Sequence, residues 1–227
     1  MSDKTADLAG PGISTYPEVA KVLPTDYRSV LTPMETMEAL FASKTYIEEG
    51  LCRELNLQMV QVPLIVTRES GVNDMLDRDG SRTPVEFPAG LGIEPRLNAQ
   101  VVQAATKWKR TALAQFGCKP GEGINTDMKA IRKDYFLDHD HSSYVDQWDW
   151  EKAITAEDRN LDYLRDTVKK LWKVLSGAGN LVQEMYPQLA EGFDPIPEEL
   201  TFLHAEEILD AYPDLPRKQR ETAILQD

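Results

Sequence analysis

Positive charge is in short supply in this chain. Against 38 Asp and Glu stand 25 Lys and Arg, a formal net charge of −13. A surface of that sign repels phosphate backbones, so no nucleic-acid partner is expected. Cysteine is scarcer still. Cys52 and Cys118 are the only two and lack metal-ligand spacing, which excludes a disulfide framework and a cysteine zinc site. They read as free thiols of a reducing cytoplasm. Long apolar runs are missing too: the longest, residues 59–66, is interrupted by Gln61 and Pro63, so no membrane partner is expected. The polar N-terminus offers no signal-peptide core. There is no Gly-x-Ser-x-Gly elbow, no phosphate-binding Walker loop and no Gly-x-Gly-x-x-Gly, which removes the common hydrolase and nucleotide-binding signatures. His139 and His141 lie in Leu137-Asp-His-Asp-His-Ser-Ser143. No further ligand stands at a characteristic spacing, so no metal site is assigned there.

What is present is an ordinary globular composition, 41% hydrophobic and 28% charged over 227 residues, enough for one large domain or two small ones. Residues 1–28, with Pro11, Pro17 and Pro24, read as an irregular arm preceding a domain over 29–227. Thr32-Pro-Met-Glu35 combines a cap, a first-turn proline and a capping-box glutamate. The spacing predicts a helix to about Leu55 with Met37, Leu40, Phe41, Ile47 and Leu51 as its buried stripe. Residues 58–68 read as one strand, with Pro63 at an edge or bulge. Loops and one or two short strands follow over 69–98, then a strand end at Val101 and Val102. A helix is expected over 104–116, stopped by Gly117. Residues 124–132 and the aromatic segment after them suit an antiparallel hairpin with a long loop over 133–141. A long helix is expected over 157–184, on Leu161, Leu164, Val168, Leu171 and Leu175. A short strand over 200–204 and two short helices, 205–211 and 216–226, complete the pattern. Strands and helices interleave without a strict βαβ period, so the fold class is α+β with an antiparallel sheet flanked by helices.

The most informative segment is Tyr144-Val-Asp-Gln-Trp-Asp-Trp-Glu151. As a strand it puts Tyr144, Asp146, Trp148 and Trp150 on one face and Val145, Gln147, Asp149 and Glu151 on the other. That fits either a half-buried strand with a solvated acidic face or a strand with one face packed and one lining a polar site. Cations occur locally at Lys107-Trp-Lys-Arg110 and over 129–133, and Gly121-Glu-Gly-Ile-Asn-Thr-Asp-Met-Lys-Ala-Ile-Arg132 ends on an arginine. A guanidinium for phosphate, a carboxylate for an ammonium and an amide for orientation suit an amino acid plus a nucleotide.

These segments, in this order and at about this spacing, resemble the ammonia-dependent, A-type asparagine synthetases (aspartate–ammonia ligases). Gly71-Val-Asn-Asp74 and Tyr212-Pro-Asp-Leu-Pro216 extend the resemblance over residues 29–227. It implies the fold of class II aminoacyl-tRNA synthetase catalytic domains, a homodimer, and use of ATP with Mg2+. L-aspartate would be activated as β-aspartyl-adenylate, and ammonia would then displace AMP. By the same resemblance Arg132 binds the ATP α-phosphate and stabilises its developing charge. Gln147 and Asp149 line the substrate pocket, Asp149 facing the aspartate ammonium. Asp74 lies near amide formation, and Lys109 pairs with a substrate carboxylate.

Two departures stand out. Gln103 and Ala104 occupy positions where the family carries His and Ser, and both family residues belong to the site wall. The family's Asp-rich segment, its Glu-x-Ser-Ser-Met-Gly-Ile-Arg strand and its Gly-rich motif ending in Arg have no counterpart in these 227 residues. The expectation is therefore an incomplete catalytic domain, with few magnesium ligands and one phosphate-binding Arg instead of two. A catalytically silent, ligand-binding or dimerising relative is the alternative.

Overall fold

The computed structural model describes residues 28–77, 79–135, 137, 141–191 and 195–225. The proline-bearing arm, apart from Arg28, and Asp138, His139 and Asp140 of the histidine loop lie outside them. Two compact units divide at Asp194 and Pro195.

In the first unit, α1 spans Pro33–Leu55. Thr32 Oγ1 accepts from the Glu35 amide at 3.3 Å, and the Glu35 carboxylate accepts from the Thr32 amide at 2.7 Å, closing the expected capping box. Only the second half of the predicted stripe is buried. Ile47, Leu51 and Leu55 pack with Leu57, Val174 and Ala178, whereas Met37, Leu40 and Phe41 are 57, 50 and 76% exposed. In the first half the buried position is Ala39 instead, and the Tyr186 hydroxyl donates to Glu38 Oε2 at 2.8 Å, so the packed side of the helix there is not the side that carries Met37, Leu40 and Phe41.

The strand expected over 58–68 is two strands in two sheets. β1 (Leu57–Met59) and β2 (Ile65–Thr67) are separated around Pro63, which lacks the N–H a continuous ladder needs. β3 (Glu86–Ala89) and β4 (Leu97–Val101) join β2 in an antiparallel sheet of order β2-β4-β3. α2 covers Thr106–Gln115 and is followed by Gly117 at φ 68, the left-handed stop its position predicts. β5 (Gly123–Ile131) and β6 (Tyr144–Lys152) form the expected hairpin. β1 lies parallel to β5 on its other side, giving the order β1-β5-β6. The molecule is thus α+β, its sheets antiparallel except for that one pairing.

Cross-strand partners in an antiparallel pair share a face. Register therefore places Asn125, Asp127 and Lys129 with Trp150, Trp148 and Asp146, and Thr126 and Met128 with Asp149 and Gln147. The tryptophan face packs on the core formed by α1 and α3 (Leu161–Met185). Of the stripe expected on α3, Leu171 packs against that core while Leu161, Leu164 and Leu175 are exposed, and the buried positions are Val174 and Ala178.

Gly123 allows the hairpin to close. A Cβ there would run into the Glu151 carbonyl, sit 2.7 Å from Leu57 Cδ2 and 2.9 Å from the Lys152 Cα. Backbone cannot rotate away, so Gly123→Ala is expected to cost about 1–3 kcal/mol in urea unfolding. An unchanged midpoint would show that the strands part without penalty.

A charge cluster ties α1 to the same face. Lys44 Nζ lies 2.7 and 2.8 Å from Asp127 Oδ1 and Asp146 Oδ1, and Lys129 Nζ lies 2.6 and 3.0 Å from the same two atoms. Burial raises the Asp127 pKa, but Lys129 and Lys44 outweigh it and hold the carboxyl below its usual range. A depressed folded value contributes stability that is full above the unfolded value, near 4, and lost as pH falls through the folded one. The stability gap between wild type and Asp127→Asn is therefore expected to be open at pH 6 and to shrink toward pH 2. Thermal melts across that range check it, and a gap constant with pH would contradict it.

The second unit holds α4 (Ala205–Ala211) and α5 (Arg217–Ile224). Residues 200–204 form no strand. Instead the His204 ring accepts from the Glu206 amide at 3.3 Å and caps α4, so the end of the apolar run serves as a helix start. None of the described helices is long and apolar enough to cross a membrane.

Candidate active site

The face of β5 and β6 opposite the tryptophans lies against α2. That helix begins at Ala105, whose side chain cannot cap. The deficiency is met from a distance. Asp74 Oδ2 accepts from the amides of Thr106 at 2.6 Å and Lys107 at 3.4 Å, and its negative charge suits the positive end of the helix. Lys107 Nζ donates back to the Asn73 carbonyl at 3.1 Å. The Gly71-Val-Asn-Asp74 turn and α2 are thereby joined at two points.

Anchoring the helix start fixes where Lys109 falls. It is 2% exposed, and its Nζ contacts Asp149 Oδ1, donates to the Trp150 carbonyl at 3.1 Å and lies 3.8 Å from Glu151 Oε2. A buried ammonium requires such partners. Thr126 Oγ1 donates to the Asp149 carbonyl at 2.7 Å, holding β6 in register beneath the pair. Glu151 also meets Arg110 Nε at 3.4 Å.

Arg132 follows β5 directly. Its amide donates to the Ser143 carbonyl at 2.8 Å, and its Nε donates to the Gln103 carbonyl at 3.2 Å. Bonding through Nε leaves the two Nη nitrogens, a fork that matches phosphate oxygens. Gln147 is exposed on β6, opposite Met128 and one residue pair from Asp149.

Of the five residues singled out from the sequence, Lys109 and Asp149 are thus in direct contact. Asp74 holds the helix that carries Lys109, Arg132 is tied to the residues around Asp74 through Gln103, and Gln147 shares the face of Asp149. Lys109 and Asp149 bind each other here, where the resemblance pairs each with a substrate group. Three residues were not anticipated: Asn73, the backbone of Gln103, and Glu151. Asn73 and Gln103 stood inside motifs already noted, but nothing along the sequence links them across the fold. Gln103 is 2% exposed, so its side chain is packed away from solvent.

Among the described residues no group of three or more His, Cys, Asp or Glu is placed to hold a metal ion. Two cavities, each about 500 Å3, lie elsewhere. The first is bordered by Trp150, Ile154, Leu161 and Leu164, the second by Glu48, Met59 and Asp127.

Comparison with known proteins adds to this geometry. The aspartate–ammonia ligase family model matches residues 34–227. The aspartate–ammonia ligase of Clostridium perfringens (strain SM101) is 42% identical over 205 residues, covering 90% of this chain and 59% of that protein. That of Bacteroides fragilis (strain NCTC 9343) is 42% identical over 204 residues, covering 89% and 57%. The chain therefore spans somewhat over half the length of these relatives. Among solved structures, Entamoeba histolytica asparaginyl-tRNA synthetase covers 88% of this chain and 44% of its own, with a TM-score of 0.49 and 12% identity. With its family match running from the start of α1 to the last residue, the chain belongs to the aspartate–ammonia ligase family.

Proposed function

We propose that the chain acts as an aspartate–ammonia ligase, making L-asparagine from L-aspartate, ammonia and ATP through β-aspartyl-adenylate, with release of AMP and diphosphate. The observation that carries this reading is the pairing of the buried Lys109 with the half-buried Asp149. An amino-acid zwitterion presents one carboxylate and one ammonium, so it can exchange with such a pair charge for charge, and neither ion is left alone in a poorly solvated place. Lys109 takes the substrate carboxylate and Asp149 the ammonium, while the Gln147 amide orients the side chain. Arg132 then holds the α-phosphate as the β-carboxylate oxygen attacks phosphorus and diphosphate leaves. Ammonia attacks the acyl carbon and AMP departs. Asp74 stands beside that step with one carboxylate oxygen engaged by α2.

ATP is a substrate in this scheme, and Mg2+ would enter on its phosphates, needing only one or two protein carboxylates beside them. The exposed stripe residues Met37 and Phe41 of α1, at 57 and 76% exposure, support a homodimer, and the free thiols of Cys52 and Cys118 suit a reducing cytoplasm.

A relative that binds ligand without turnover is the second reading. It is favoured by the mutual neutralisation of Lys109 and Asp149 and by the use of Asp74 as a helix cap. Purified 227-residue protein supplied with ATP, aspartate and ammonium separates the two. AMP release requiring both aspartate and ammonium supports the ligase. Aspartate binding without AMP supports the second reading, and neither signal sinks both.

A further inference from the structure

We infer that Asn73 is the positioning residue of this site: it fixes Arg132 through the backbone of Gln103, and with Asp74 it sets the distance between the two cations. The inference rests on the ligase reading for its functional consequence, though not for its geometry.

The chain leaves the β4 ladder at Val101, and the following residues must turn from sheet into α2. Val102 stays engaged, its amide donating to the Leu64 carbonyl at 3.0 Å and its carbonyl accepting from the Ile131 amide at 3.1 Å. Asn73, 9% exposed, fastens the residues on either side. Its Nδ2 donates to the Val101 carbonyl at 3.1 Å and to Gln100 Oε1 at 3.2 Å, and its Oδ1 accepts from the Gln103 amide at 2.9 Å. Two donors and one acceptor are required at one point. A carboxylate has no such donors and a hydroxyl has too few, whereas an amide supplies both.

Gln103 is where this clamp meets the site. Its amide is held by Asn73 and its carbonyl receives Arg132 Nε. Since Gln103 is 2% exposed, water does not replace the Asn73 bond, and a buried N–H without a partner shifts the backbone that carries the acceptor. The Asn73 carbonyl and the Asp74 carboxylate meanwhile grip the first turn of α2. One dipeptide therefore governs the phosphate-binding guanidinium on one side and the buried ammonium on the other.

The test uses Asn73→Ala and the better-filling Asn73→Leu, each checked by thermal melt, with the Arg132 Nε–H followed by NMR hydrogen exchange. Exchange at Arg132 Nε–H is expected to speed up by about tenfold or more in either folded variant, the loss of roughly one hydrogen bond. Unchanged exchange overturns the inference. If neither variant folds, urea-dependent exchange of the unaltered chain decides: the Gln103 amide and Arg132 Nε–H must open with the same denaturant dependence, and divergence overturns the inference. A titration with ATP links this to function. Asn73→Ala is expected to weaken binding about tenfold when Arg132 is present and not at all in an Arg132→Ala background. Equal losses in both backgrounds assign Asn73 a general structural role and overturn the inference. ATP binding indifferent to Arg132→Ala removes the ligase reading instead, and leaves the exchange result to decide the positioning.

Discussion

Alanine at Arg132 is expected to reduce AMP release from ATP, aspartate and ammonium by about 10²–10³-fold, the range typical of removing one preorganised charge-stabilising group. The position argues for the size of the effect. The guanidinium follows the strand that runs beneath the Lys109–Asp149 pair, and its Nε is already committed to the Gln103 carbonyl, so the Nη fork reaches a phosphate with little left to order. In the proposed reaction charge would gather on the α-phosphate oxygens as diphosphate leaves, so the loss should fall on kcat as well as on KM for ATP. Lysine at this position keeps the charge but lacks the fork and the Nε anchor, and should recover only a small part. Steady-state rates over a range of ATP concentrations give the split. Wild-type turnover in Arg132→Ala would falsify the assignment.

The largest effect on stability is expected from Lys109→Met. Lys109 is 3% exposed in its side chain and Asp149 23%, so removing the cation leaves a half-shielded carboxylate beside Glu151, which lies 3.8 Å from the same ammonium. Breaking such a pair costs about 3–5 kcal/mol when both ions are buried, and the partial exposure of Asp149 places this one near the lower end. Replacing both partners, as in Lys109→Met with Asp149→Leu, should regain much of the loss, because no isolated charge then remains. Urea unfolding of the two single variants and the double variant measures the coupling. A single-variant loss under about 1 kcal/mol would mean that the pair behaves as a surface ion pair.

Local chemistry made much of this architecture readable in advance. The Thr32-Pro-Met-Glu35 box, the Gly117 stop and the alternation around Trp148 and Trp150 each depend on neighbours in sequence, and each gave the element that forms. The misreadings share another cause. Residues 58–68 carry one continuous β-rich pattern, yet β1 pairs with β5 and β2 with β4, a choice made by distant strands. Met37 and Phe41 share an apolar pattern with Ile47 and Leu51, but only the latter pair lies on the side of α1 that packs. In the site, alternation put Gln147 and Asp149 on one face. That Asp149 faces Lys109, and that Asn73 supports Arg132, depends on contacts between segments far apart in the chain.

The pairing of β1 with β5 also carries a kinetic consequence. β5 and β6 meet across a single loop, and the α2 that rests on them immediately precedes β5, so the Lys109–Asp149 side of the sheet is assembled from neighbouring segments. β1 must return from beyond the whole intervening sheet to lie parallel with β5, a closure that is entropically slow. The order of folding follows: the face bearing the charged pair condenses early, and α1, arriving with β1, seals the tryptophan face last. A lesion in β1 should then act mainly on the rate of unfolding, and one at Gly123 mainly on the rate of folding.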